Sequence, residues 1–357
     1  MRFAAVTLLF AFACAQGQDV LKDAAGAFQA GDMTTAIRLY RQFLKEYPDA
    51  AEIRSNLGAA LVRDGKLAEA ITEYQTALAK MPNNPRVRMN LAIAYYKLGR
   101  IPEAGKELEV LHTMQPLNVP PALLMADCLM QLGQPQGAVQ LLTPLSEEYP
   151  EDQALIYMLG TAYLKQNKPR EAQMMLDRIL RNGQSAESEF LQGQGEYMRQ
   201  NLVPAATHLA RAIQLNPSLP GVHSLYGQVL RGLAKLDEAT VQFREELKLN
   251  PYDYTANVEI GMLLKQEGKL DEAMAMLTRA LQIRPGDPAV RLQQASIHLS
   301  QGRADTARQI LEKVVKDYPT FAEAHAALAT VYYRLKRPAD GDREREAARK
   351  GVGPAKQ

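Results

Sequence analysis

Between Leu57 and Pro82 the chain reads LGAALVRDGKLAEAITEYQTALAKMP, two apolar stripes separated by a glycine and closed by a proline. Arg54, Leu57, Gly58 and Leu61 fall at i, i+3, i+4 and i+7, which puts them on one face of a helix. Ala70, Tyr74, Ala77 and Leu78 repeat that rhythm in a second helix. Gly65 lies between the two, where a glycine just past a helix end can turn left-handed without a Cβ penalty. Glu69 sits near the start of the second helix, at the positive end of its dipole, and Pro82 stops the helix from continuing. The small residues Gly58 and Ala70 are expected to let the two backbones approach closely; larger side chains there would overpack by roughly 1–3 kcal/mol.

This pattern recurs along the chain. Pro48, Pro82, Pro116 and Pro150 are 34 residues apart, and Pro217, Pro251, Pro285 and Pro319 resume the same spacing. A fixed period of this size predicts a stack of identical helix pairs, each burying its apolar face against the next. Repeats one to five then cover 16–186, an irregular sixth covers 187–219, repeats seven to nine cover 220–321, and 322–357 forms a degenerate terminal repeat. Asn167 replaces the turn glycine in repeat five and is the next best left-handed cap. Repeat six is one residue short and carries Gly193 and Gly195 in its first helix, each costing roughly 1 kcal/mol relative to Ala. The stretch 182–202 therefore reads as the weakest joint, able to bend or to divide two sub-arrays. Ala234 stands at a turn position usually held by glycine, and nothing in the sequence accounts for it. The last repeat starts with Leu328, Ala329 and Tyr332 and turns polar from Asp342 to Lys350, as an array needs in order to end in water; the tail Gly351–Gln357 is expected to fray.

Small residues at positions 8 and 20 of the unit, an apolar or aromatic residue at 24, a small or apolar one at 27 and proline at 32 resemble the tetratricopeptide repeat. The tryptophan usual at position 4 is missing, since the chain has no Trp; Arg54, Arg88, Ala122, Ile156 or His223 stands there instead. The resemblance extends over nearly the whole chain. It implies an all-α fold, a right-handed α-solenoid of antiparallel helix pairs with about nine repeats plus a polar terminal unit. It specifies the fold and leaves the ligand open.

A chain of 357 residues would ordinarily suggest two or more domains, but an array grows without a central core. The net charge of +2 is near balance and no run of five like charges occurs, so neither nucleic acid nor an anionic membrane surface is indicated as a partner. The N-terminus differs from the rest: Met1-Arg2, an apolar stretch from Phe3 to Ala13, then Ala13-Cys14-Ala15 before Gln16. A positive end, an apolar segment and a small-x-small cleavage site read as a secretory signal peptide over 1–15. The apolar stretch would make a helix about 16 Å long against a bilayer core of roughly 30 Å, so no transmembrane span is expected. A rival reading makes Cys14 a lipid anchor, although Ala11-Phe12-Ala13 fits a bacterial lipobox poorly. With Cys14 removed, Cys128 has no partner, and it reads as a small buried residue of a first helix.

A search for chemistry points away from catalysis, cofactors and metals. His112, His208, His223, His298 and His325 lack ligand spacing, and those at positions 4 and 11 are expected to be packed in the core or at its boundary. Glu147-Glu148 and Glu245-Glu246 are adjacent on their helices, share no face, and are expected to be solvated. The GxG of repeat six lacks a preceding strand, so a nucleotide loop is not expected.

The resemblance instead directs attention to positions 5, 9 and 12 of the first helices, which line the concave face of such arrays. Those positions are Met89, Ile93 and Tyr96 in repeat three, Leu123, Asp127 and Met130 in repeat four, Tyr157, Thr161 and Leu164 in repeat five, and Leu191, Gly195 and Met198 in repeat six. With Arg86, Asn90 and Lys165 they form an apolar and aromatic stripe suited to peptides, although packing against the next repeat would also use such residues. The chaperone-binding carboxylate clamp of the family is incomplete: Asn56, Asn90 and Arg86 match it, but Leu21, Ala25, Ser55 and Ala59 stand where a Lys–Asn pair is needed. The expectation is an exported, non-enzymatic scaffold, periplasmic or secreted, that binds proteins or peptides in bacterial envelope assembly or secretion. The alternative is a periplasmic factor for polysaccharide export, with the tyrosines stacking on sugars.

Overall fold

The computed structural model describes residues 18–181 and 183–351. The segment read as a signal peptide, Cys14, Asn182 and the tail beyond Gly351 lie outside the described residues. The described residues form helices joined by short turns, two helices to each repeat. Repeats one to five comprise α1 (18–29) and α2 (Met33–Glu46), α3 (Ala51–Arg63) and α4 (Leu67–Lys80), α5 (Pro85–Lys97) and α6 (Ile101–Met114), α7 (Val119–Gln131) and α8 (Pro135–Glu148), and α9 (Gln153–Lys165) and α10 (Pro169–Leu180). Repeats six to ten comprise α11 (Ala186–Met198) and α12 (Leu202–Leu215), α13 (Val222–Gly232) and α14 (Leu236–Leu249), α15 (Tyr254–Gln266) and α16 (Leu270–Ile283), α17 (Pro288–Ser300) and α18 (Ala304–Asp317), and α19 (Ala322–Arg334) and α20 (Pro338–Gly351). The fold is an all-α repeat solenoid. It forms two compact units, the first ending at Ala162 and the second beginning at Tyr163, so the division falls inside α9.

The helices form for the reasons the pattern implies. Asp32, Asn84, Asp253 and Asp287 each cap a helix by accepting from the backbone N–H three residues on. Gly31, Gly65, Gly99, Gly133, Gly268 and Gly302 close first helices with positive φ. Asn167 does the same at φ 58°, as its side chain allows, and Ala234 adopts φ 59° without glycine's freedom. Gly58 is needed for close packing, since a Cβ there would lie 2.6 Å from the Tyr74 ring; Gly227 stands in the same relation to Phe243 at 2.7 Å. In repeat six, a Cβ on Gly193 would fall 2.7 Å from Leu209, so this glycine is a packing residue of the same kind. α11 is a regular helix that opens with a reciprocal Ser185–Ser188 capping box.

In the first compact unit the core is built from Leu57, Leu61, Tyr74, Leu91, Leu108 and Leu142, all fully buried. In the second, Phe243, Ile260, Leu277, Val290 and Ile297 form a continuous cluster across repeats seven to nine. One expectation is overturned here. Glu245 does lie at the surface, paired with Lys248 at 2.6 Å, but Glu246 is 1% exposed. Adjacent helix positions point about 100° apart, so one of the pair reaches the core side of α14 while the other reaches water.

Candidate protein-binding face

Position 4, where the tryptophan is missing, shows what replaces it. Arg54 donates to the Pro48 carbonyl at 2.9 Å and to Glu73 at 2.9 Å. Arg88 repeats this with the Pro82 carbonyl, at 2.7 Å, and Glu107. The Nε2 of His223 meets the Pro217 carbonyl at 3.0 Å and its Nδ1 meets Gln242 at 2.7 Å. His325 does likewise with the Pro319 carbonyl at 3.1 Å and Glu344 at 2.7 Å. Asn257 and Arg291 reach the carbonyls of Pro251 and Pro285. A donor at position 4 thus ties each of these repeats to the end of the preceding second helix, where a cation is favoured. Repeat five lacks the terminal proline, and repeat six lacks the donor: Gly193 meets Leu209 as Gly58 meets Tyr74, which sets position 4 at Glu189, one residue earlier than the sequence reading, and the buried Glu189 pairs with His208 at 2.8 Å and Arg211 at 3.4 Å. His223 and His325 are therefore satisfied core histidines, as expected. His112 and His298 are half-buried, each with Nδ1 lacking a hydrogen-bond partner among the described residues.

Once position 4 holds the backbones, positions 5, 9 and 12 are free to vary. Arg86 is exposed and pairs with Glu52, the equivalent residue one repeat earlier, a surface pair of little energetic weight. Met89, Asn90, Ile93 and Tyr96 are half-buried along α5. The Tyr96 hydroxyl donates to Asp127 at 2.5 Å and accepts from Gln131 at 2.8 Å, and Gln131 also donates to Asp127 at 2.6 Å. This triad links the first helix of repeat three to the first helix of repeat four. Burial first, and then the Asp127 charge, push the Tyr96 phenol far above its ordinary value, so it remains a donor at any physiological pH. Gln131 was not singled out in the sequence, although it lies at i+4 from Asp127 and on the same face.

The other expected residues divide by burial. Met130, Thr161 and Leu164 are buried, and the Thr161 hydroxyl has no hydrogen-bond partner among the described residues. Tyr157 is half-buried. Leu164 and Met198 belong to the second compact unit; Met198 is half-buried and, with position 4 of its repeat at Glu189, falls one residue past the stripe, whose position 12 is Tyr197. The structure thus joins Tyr96 to Asp127 and leaves Met89, Asn90 and Ile93 partly open beside them. In repeats seven to nine position 12 of one first helix bonds to position 6 of the next: Arg231 pairs with Glu259 at 3.2 Å and Lys265 donates to Gln293 at 2.8 Å. Burial lowers the Lys265 ammonium and raises the Glu259 carboxyl, the latter opposed by Arg231.

Among the described residues, no group of three or more His, Cys, Asp or Glu is placed to hold a metal ion. None of the described helices is long and apolar enough to cross a membrane. Cys128 is buried, and burial followed by the Asp127 charge holds its thiol protonated.

Two models of the tetratricopeptide repeat family match the chain. One covers residues 61–112, 129–194, 264–331 and 298–341, more than half of the sequence, and the other covers 23–85 and 227–288. The chain belongs to the tetratricopeptide repeat family. No curated protein sequence matches it. Among solved structures it is similar to the Cut9–Hcn1 hetero-tetramer of the APC/C, with a TM-score of 0.60 and 14% identity over 95% of this chain and 74% of that one. It is also similar to a monomeric mutant of IFIT1 with Gppp-AAAA, with a TM-score of 0.50 and 13% identity over 93% of this chain and 89% of that one. Yeast Tom70 aligns at 15% identity over 95% and 92% with a TM-score of 0.40. At these identities the likeness shows the fold alone.

Proposed function

We propose that this chain is an exported, non-enzymatic scaffold that captures partner proteins or peptides on the first-helix stripe of repeats three to five, in bacterial envelope assembly or secretion. The observation that carries the reading is the state of that stripe in repeats three and four. Met89, Asn90 and Ile93 are partly open, next to a Tyr96–Asp127–Gln131 network that holds α5 and α7 in fixed register. A rigid network beside adaptable apolar side chains reduces the ordering cost of binding while still letting the surface fit its ligand. Export is supported by the N-terminal residues Met1 to Gln16 and by their order of charge, apolar stretch and small residues.

The test compares residues 16–357 with the Met89→Glu/Ile93→Glu double variant as bait in extract of the source cells, read by mass spectrometry. Tyr96 is left intact, because a second carboxylate beside Asp127 would disturb the fold. Equal helicity by circular dichroism with loss of a defined set of proteins is the expected result. Equal recovery by both baits would defeat the reading. For export, intact mass of the cellular protein should place Gln16 first; retention of Met1 would rule export out, and a lipid-modified Cys14 would make the protein membrane-anchored.

A further inference from the structure

The outward faces of three consecutive second helices, all in the second compact unit, carry a pattern that the fold does not use. The second, sixth and ninth residues of a helix stand at i, i+4 and i+7 and share one face. On α10 these are Arg170, Met174 and Asp177, and on α14 they are Asp237, Val241 and Arg244. On α12, between them, they are Val203, Thr207 and Ala210. All except the half-buried Ala210 are exposed. Val203 and Met174, at 67% and 62%, are the two most exposed large apolar side chains among the described residues, and Val241 is 52% exposed.

On its inner side α14 uses its acid within the fold. The buried Glu246 accepts from the N–H groups of Gly221 at 3.2 Å and Ser224 at 3.3 Å, at the start of α13, which has no side-chain cap of its own. The outward charges have no such role. Arg170 and Asp237 make no hydrogen bond or ion pair among the described residues, and Asp177 accepts only from Gln173 on its own helix, at 2.8 Å. The two flanking helices are charge-reversed versions of each other: positive, apolar, negative on α10 and negative, apolar, positive on α14, at the same heights. No other second helix among the described residues sets opposite charges around a large apolar side chain at these places.

An isologous contact requires such a reversal, because residue i of one copy meets residue j of the other and j meets i. A two-fold axis running along α12 brings α10 of one copy opposite α14 of the other, in the same direction and register. Arg170 then meets Asp237, Asp177 meets Arg244 and Met174 meets Val241, while Val203 meets its own counterpart on the axis. We propose that this face is a self-association surface, through which two copies of the chain form a two-fold symmetric dimer centred on Val203. The apolar side chains supply the attraction, and the exposed charges, which add little affinity, fix the register and the choice of partner. Three helix ridges make a small contact, so the dimer is weak and depends on concentration. The contact involves no first-helix residue, and it stands or falls independently of the stripe proposed above.

The experiment is sedimentation velocity on residues 16–357 between about 1 and about 300 μM. The unaltered chain is expected to pass from monomer to dimer over this range. Arg170→Asp and Asp237→Arg each set like charges against one another at both symmetric contacts and should weaken association by at least about tenfold. Mixed in equal amounts, the two variants should associate again, since each supplies the charge that the other lacks; the double variant Arg170→Asp/Asp237→Arg should recover as well. Val203→Asp, which opposes two acids on the axis, should remain monomeric, and its exposed position leaves helicity by circular dichroism unchanged. An unaltered chain that stays monomeric throughout overturns the proposal. Dimerisation that Val203→Asp and the single charge variants leave undiminished overturns it too, as does a loss in the single charge variants that neither the mixture nor the double variant restores.

Discussion

At single positions the repeat tolerates replacement only where geometry allows. The turn after each first helix needs a left-handed residue, and the chain uses Gln200, Ala234 and Lys336 as well as glycine there. A Cβ in that conformation costs roughly 1–2 kcal/mol, part of which glycine gives back as chain entropy. Ala234→Gly is therefore expected to stabilise the protein by about 0.5–1 kcal/mol, read as an upward shift of the urea midpoint; no shift would mean that the turn relaxes the strain elsewhere. The need for a left-handed residue at 234 is legible from the period alone. The burial of Glu246 is not, because nothing in its neighbours says which of two adjacent acids faces the core, and the shortened α13 that requires it becomes visible only once the helix start is placed. Gly193 is a similar case. Its low helix propensity suggests weakness, whereas its place against Leu209 makes it a close-packing contact.

Among elements, the bond from position 4 to the preceding proline carbonyl takes over the tryptophan's place with polar chemistry. Its partner on the second helix is 19 residues away, across a turn, for Arg54, Arg88, Glu189, His223 and His325. That distance has no helical periodicity, so sequence reading sees an unusual residue without seeing what it holds. Repeats four and five, with Ala122 and Ile156 at this position, show that an apolar solution also folds. Arg88→Leu, which leaves Glu107 and the Pro82 carbonyl without their donor, is expected to cost about 1–3 kcal/mol. Adding Glu107→Leu should recover part of that loss, and a double-mutant cycle by chemical denaturation would measure the coupling. Strictly additive losses would show that the pair does not act as a unit.

For the molecule as a whole, each repeat depends on the next to cover its apolar face. Ala295, Ala307 and Leu311 are buried against Leu328, Val331 and Tyr332 of the last repeat, whose outer helix α20 is rich in Arg, Asp and Glu. Deleting 322–357 is expected to expose that patch and cause self-association, visible as a rise in scattered light at micromolar concentration; a monodisperse truncated chain would show that repeat nine can end the array. The polar terminal repeat was legible because its composition departs from the period; the two compact units were not, because the period runs through α9 without a break. The position 4 bridge also sets rules for rearranging the chain. Both side chains of a bridge lie within one repeat, and the remaining acceptor is a backbone carbonyl, so a whole 34-residue block can be duplicated or transposed with its bridge intact. A crossover between the two helices of a repeat breaks the match: joining α11 to α6 would bury Glu189 against Glu107, two acids with no donor between them. Gene duplications and engineered extensions of this array should therefore break at the prolines, not at the turns inside the pairs.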